Sequence, residues 1–123
     1  MIRFDDRFVR SLPADPEPGN FIRPVRAAYS RVTPAKVQKP TVLAWSKSVA
    51  SMLGLPDVPT SEWEQVLAGN AVLDGMQPYA ACYGGHQFGN WAGQLGDGRA
   101  ITLGELIAPD DSRWDVQLKG PGQ

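Results

Sequence analysis

A glycine-dense stretch opening onto two strand-length segments that flank a tight turn restricts the fold more than any other feature of this chain. Seven of the 13 glycines fall between Gly84 and Gly104. Residues 101–107 (Ile-Thr-Leu-Gly-Glu-Leu-Ile) read as a strand and Pro109-Asp110-Asp111-Ser112 as a turn. Trp114, Val116 and Leu118 then alternate with Asp115, Gln117 and Lys119, a period of two that puts the first set in a core and the second on the opposite face. Two strands joined this way make an antiparallel hairpin, and the end of the second lies beside the start of the first. Topology alone therefore returns Lys119 toward Gly96-Asp97-Gly98-Arg99.

The rest of the chain is irregular. Six prolines within residues 1–40 exclude a long helix there. This region reads as an extended arm that lies on another part of the protein, with Phe4, Phe8, Phe21 and Tyr29 as anchors. Residues 41–53 carry a helical stripe (Val42, Trp45, Val49, Met52, Leu53), with Thr41 as cap and Gly54 as stop. A second short helix over 61–68 opens on the capping-box spacing Ser61 to Glu64, buries Trp63, Val66 and Leu67 on one side, and stops at Gly69. Residues 74–100 read as loop-dominated.

Length and composition bound the function. One domain, or part of one, fits 123 residues. Hydrophobic content of 42% with 20% charged residues suits a folded soluble protein rather than a disordered one. A net charge of −1 gives no basic field for nucleic acid. The six arginines from Arg3 to Arg31 are offset by Asp5, Asp6, Asp15 and Glu17 and read as a mixed-charge surface. The single cysteine, Cys82, excludes an internal disulfide framework. No apolar run reaches membrane-spanning length, and the start lacks the apolar segment of a secretory signal. The expected setting is therefore cytoplasmic, with no membrane or nucleic-acid partner.

The chemistry converges at one end of the hairpin. Backbone amides near Gly96 and Gly98 can donate to phosphate oxygens. Arg99 offers a planar fork and Lys119 a point charge. A glycine loop, a strand, then a strand with lysine is also the layout at the ATP end of protein kinases. Leu95-Gly96-Asp97-Gly98-Arg99 is only half of a G-x-G-x-x-G, because position 101 is Ile. A Walker A loop is absent, since Gly120 follows Lys119, and a dinucleotide fingerprint is disfavoured because a hairpin follows the loop. Each residue also has a plainer reading. Gly96-Asp97-Gly98 is also a common turn, Lys119 a strand-edge lysine, and Arg99 a solvent-facing side chain. His86, the only histidine, reads as a loop-stabilising partner, and Cys82 as a buried thiol without an oriented base. Phe88 and Trp91 read as packing the loop on the core.

The run Tyr83-Gly84-Gly85-His86-Gln87-Phe88-Gly89-Asn90-Trp91-Ala92-Gly93-Gln94-Leu95-Gly96-Asp97-Gly98-Arg99-Ala100, with Gln117-Leu118-Lys119-Gly120 behind it, closely resembles the selenoprotein O family. The likeness extends over essentially the whole chain, with Pro121 a small departure. It implies an α+β fold: the N-terminal part of a protein-kinase-like domain with an extended arm (1–40), two short helices, and a glycine loop plus antiparallel hairpin (within 41–123). It implies a protein adenylyltransferase that binds ATP reversed relative to kinases and moves AMP onto protein hydroxyls, with Mg2+ or Mn2+. By the same resemblance Gly96, Gly98 and Arg99 match the loop contacts to nucleotide, and Lys119 matches the strand lysine at the phosphates. The family's catalytic aspartate and Asn/Asp metal ligands lie further along than residue 123, so no catalytic or metal residue is assigned, and residues 1–123 alone are expected to be inactive. For a eukaryotic member a mitochondrial setting is implied. Two rivals stand beside this reading: a non-catalytic nucleotide-binding or protein-interaction module, and a conventional kinase that transfers the γ-phosphoryl group.

Overall fold

The computed structural model describes residues 2–16, 27–82, 84–94 and 100–120. Its strands are β1 (Arg3–Asp5), β2 (Tyr29–Arg31), β3 (Tyr79–Ala81), β4 (Gly84–Gln87), β5 (Asn90–Gln94), β6 (Ala100–Ile107) and β7 (Arg113–Lys119). Its helices are α1 (Arg7–Ser11), α2 (Lys47–Leu53) and α3 (Ser61–Leu67). The fold is α+β with a small antiparallel sheet, as the sequence suggested. β6 is the spine of that sheet. β7 pairs along its whole length, while β1 and β3 pair with its two halves, opposite 105–107 and opposite Thr102. β2 adds outside β3, and β4 with β5 form a separate hairpin.

The two faces of the sheet bury different things. On one, Trp63 and Val66 of α3 meet Met76 and Leu103, with Phe4, Trp45, Val116 and Leu118 around them. On the other, Val9 of α1 meets Tyr29 and Tyr79. There Phe8 stacks on Tyr79 with ring centroids 4.7 Å apart, and the Tyr29 hydroxyl donates to the Val9 carbonyl at 2.7 Å.

Several expectations need correction. The region 1–40 is not a bare extended arm: it contributes β1, α1 and β2 to this sheet and its cover. Phe4, Phe8 and Tyr29 do pack, and Phe21 lies outside the described residues. The first helix begins at Lys47, not near Thr41, because Ser46 supplies the cap, accepting from the Val49 amide. Residues 41–46 are non-helical, and the Trp45 indole donates to the Pro56 carbonyl at 3.1 Å. Ala50 is the buried residue of α2, whereas Val49 and Met52 are exposed. Gly54 does close the helix, in the left-handed region at φ 77°. The second helix is capped by Thr60, one residue before the expected Ser61, through the Trp63 amide at 3.2 Å. Trp63 and Val66 are buried, but Leu67 is exposed.

The segment 74–100 is not loop throughout, since β3, β4 and β5 lie in it. Phe88 and Gly89 both have positive φ, which the two-residue turns of hairpins require. Phe88 is fully exposed and Trp91 63% exposed, so neither packs the loop on the core as expected. Trp114 is also half exposed, while Val116 and Leu118 do join the core. Among the described residues no helix is long and apolar enough to cross a membrane.

Candidate functional site at the open end of the hairpin

The expected hairpin is present. Asp110 holds the turn through the Ser112 amide at 3.0 Å and the Ala108 amide donates to the Ser112 carbonyl at 2.8 Å. Beyond the turn β6 and β7 run together to their far end, where Ala100 is the partner of Lys119. Lys119 is exposed there. It therefore stands across from the residue that directly follows Arg99, as topology required. Gly96, Gly98 and Arg99 themselves lie outside the described residues.

The register reaches this pairing through a bulge. Near the turn, Glu105 pairs with Asp115 and Gly104 with Val116. Past Gly104 the register shifts by one, and Thr102 pairs with Gln117. Leu103 is the extra residue, fully buried in the core. A bulge lets two successive residues point the same way. A Cβ on Gly104 would indeed enter the same side as Leu103, 3.1 Å from Phe4 Cδ1 and 3.7 Å from Met76 Cγ. A side chain at 104 would press the Phe4 ring, which would have to give by a few tenths of an ångström. A lone glycine inside a strand pattern is the sequence signal of such a bulge.

The face that carries Lys119 also carries charge. Asp5, Glu105 and Asp115 are direct cross-strand neighbours, and like charges so placed repel. Arginines offset this: Arg113 pairs with both Asp5 and Glu105, Arg7 meets Glu105 at 2.9 Å, and Arg10 meets Asp5 at 2.8 Å and Asp6. These pairs tie α1 to the sheet. Hydrogen bonds from Arg113 first, and then Arg10, draw the Asp5 carboxyl down to about 2. A folded-state value below the ordinary 3.8 means that this stabilisation is complete above the ordinary carboxylate range and is lost as pH falls toward 2. Carboxyl-carbon NMR should show Asp5 titrating near 2, and Asp5→Asn should flatten the acid limb of stability against pH. Titration at the ordinary carboxylate value would contradict the network. On the same face, burial raises the Tyr79 phenol above its usual range.

His86 falls on β4 as the backbone partner of Trp91. Cys82 is partly rather than fully buried, with its sulfur 3.8 Å from Ser30 Oγ. Among the described residues no group of three or more His, Cys, Asp or Glu could hold a metal ion. Asp5, Asp6 and Glu105 are engaged with arginine instead. The described residues thus offer an exposed cation, Lys119, across from Ala100 at the far end of the hairpin, and no cluster that could hold a divalent metal.

With this geometry in place, comparison with known proteins is informative. The sequence model of the family described as protein adenylyltransferase SelO matches residues 20–123. A relative from Nitrosospira multiformis, named protein nucleotidyltransferase YdiU, is 61% identical over 98% of this chain and 22% of its own length. Relatives of the same name from Azoarcus sp. and Rhodopirellula baltica are 60% and 57% identical, over 97% and 98% of this chain. The chain spans about a quarter of the length of these curated relatives, 22–24%. The chain belongs to the SelO family.

Proposed function

We propose that this chain contributes the glycine loop and the strand cation of an ATP site in a protein adenylyltransferase with a kinase-like fold. The observation that supports this reading is the pairing of Lys119 with Ala100, the residue that directly follows Gly96-Asp97-Gly98-Arg99 in the sequence. Family membership supports nucleotidyl transfer as the reaction class. In this reading Lys119 and Arg99 meet the phosphates, and amides at Gly96 and Gly98 donate to their oxygens. Transfer of AMP joins a Ser, Thr or Tyr hydroxyl oxygen of an acceptor protein to the α-phosphorus of ATP. The bond from the α-phosphorus to the α–β bridging oxygen breaks, pyrophosphate leaves with the electron pair, and the hydroxyl proton is released to water. Cations held at the phosphates stabilise the charge that builds on the leaving group. Mg2+ or Mn2+ belongs to the proposal as ATP's companion. Since the described residues do not form a site for it, no step is assigned to it.

Lys119→Ala in the intact gene product should weaken ATP binding or turnover at least tenfold. A charge-assisted contact contributes about 1.5–3 kcal/mol, and about 1.4 kcal/mol is a factor of ten. Isothermal titration with ATP and steady-state kinetics check this. Unchanged affinity and rate would remove Lys119 from the site. Mass spectrometry of a modified acceptor should show added AMP, and added phosphate would replace this reading with an ordinary kinase. Residues 1–123 alone should incorporate no AMP from labelled ATP, and robust incorporation would show that the chain holds a complete site.

A further inference from the structure

Lys119 reaches Ala100 only because β6 carries an extra residue. Extended without a bulge, the register of Glu105 with Asp115 would set Lys119 across from Ile101. Leu103, not Thr102, would then fall on the face that bears Asp115, Gln117 and Lys119. The bulge turns Leu103 into the core, where it is fully buried, and brings Thr102 onto the polar face opposite Gln117. Just past the shift, Gln117 Nε2 donates to Thr102 Oγ1 at 3.3 Å, with Thr102 itself buried. This side-chain bond joins the two strands at the first pair of the new register. It lies two residue pairs from the Ala100 and Lys119 partners, on the same face, with Ile101 and Leu118 between.

We propose that Thr102 and Gln117 are positioning residues for the nucleotide site. Their hydrogen bond locks the shifted register beyond Gly104 and so holds Lys119 across from Ala100, the residue that follows the glycine run in the sequence. A slip back to the unbulged register would require Thr102 and Gln117 to part and Leu103 to leave the core. Such a slip would move the backbone anchor of Lys119 by one residue, about 3.4 Å along the strand. A displacement of that size at a charged contact is enough to lose it. The inference rests on the proposed role of Lys119 and deepens it, since neither residue need touch ATP.

The test uses the intact gene product with ATP as the probe. Thr102→Val keeps the shape and removes the hydroxyl; Thr102→Ser keeps the hydroxyl; Gln117→Leu, at an exposed position, removes the donor from the other side. The expected result is a three- to tenfold weaker ATP affinity and higher KM for Thr102→Val and Gln117→Leu, with Thr102→Ser close to the parent protein. Combining Thr102→Val with Lys119→Ala should give no loss beyond that of Lys119→Ala alone. A lowered melting temperature with unchanged ATP affinity would make the pair merely structural and overturn the proposal. So would losses that multiply in the double variant. If Lys119→Ala itself leaves ATP binding intact, the site reading fails and the positioning role falls with it. Should Thr102→Val not fold, Gln117→Leu and its combination with Lys119→Ala decide on the same criteria.

Discussion

Replacing Trp63 by alanine should cost this protein about 3–5 kcal/mol, the range for deleting a large buried aromatic side chain. Trp63 is 3% exposed and stands at the centre of the cluster with Val66, Met76 and Leu103. Through it, α3 is held on the strand face that turns away from the charged surface. The helix has only seven residues, too few to hold its shape in water without packing, so losing the anchor also weakens the helix. With total stabilities commonly about 5–15 kcal/mol, a loss of this size moves the urea midpoint far down. Circular dichroism at rising urea measures it, and Trp63→Phe should recover much of the difference. A midpoint within a few tenths of a molar of the parent would mean that Trp63 is not an anchor.

Gly75→Ala should rank next, at about 2–4 kcal/mol. Two effects add. At φ 86° any residue with a Cβ is strained, by about 1–2 kcal/mol. The new Cβ would also stand 2.6 Å from the Phe4 carbonyl oxygen, a backbone atom in β1 that cannot rotate away. Relief requires β1 to shift from β6 or the loop at 74–75 to lift. Gly89 supplies the control: its φ is 81°, but nothing lies within 4 Å of an added Cβ. Gly89→Ala should therefore show the conformational cost alone. Equal losses for the two variants would show that the contact with Phe4 contributes nothing.

How far the sequence revealed these features followed from sequence distance. The β6–β7 hairpin was legible because its information is local: a strand-length apolar run before Pro109-Asp110-Asp111-Ser112, alternation after it, and a turn in which Asp110 bonds the Ser112 amide and hydroxyl. The return of Lys119 to the start of β6 followed from that alone. The stops at Gly54 and Gly69 were legible for the same reason, each glycine taking a left-handed φ. Helix starts were less so, because Thr41 and Ser46, or Thr60 and Ser61, offer the same hydroxyl, and only the backbone path selects one. The strand roles of 3–5 and 29–31 could not be read, since their partners lie at 105–107 and 79–81. The β4–β5 hairpin was hidden by its own glycines, which disfavour strands, and by a turn that places the bulky Phe88 at positive φ. The bulge needed both strands at once: Gly104 marked it, but Phe4 and Met76 explain it.

The position of β1 has a consequence for how the protein comes into being. Its partners, Glu105 to Ile107, are about a hundred residues further along, so the ribosome must make nearly all of this stretch before the first strand can find its seat. Until then Phe4 is uncovered, and Asp5 waits for Arg113. Pairing over such a span closes late and slowly. A bulky fusion at the amino terminus would burden that last step more than one attached elsewhere.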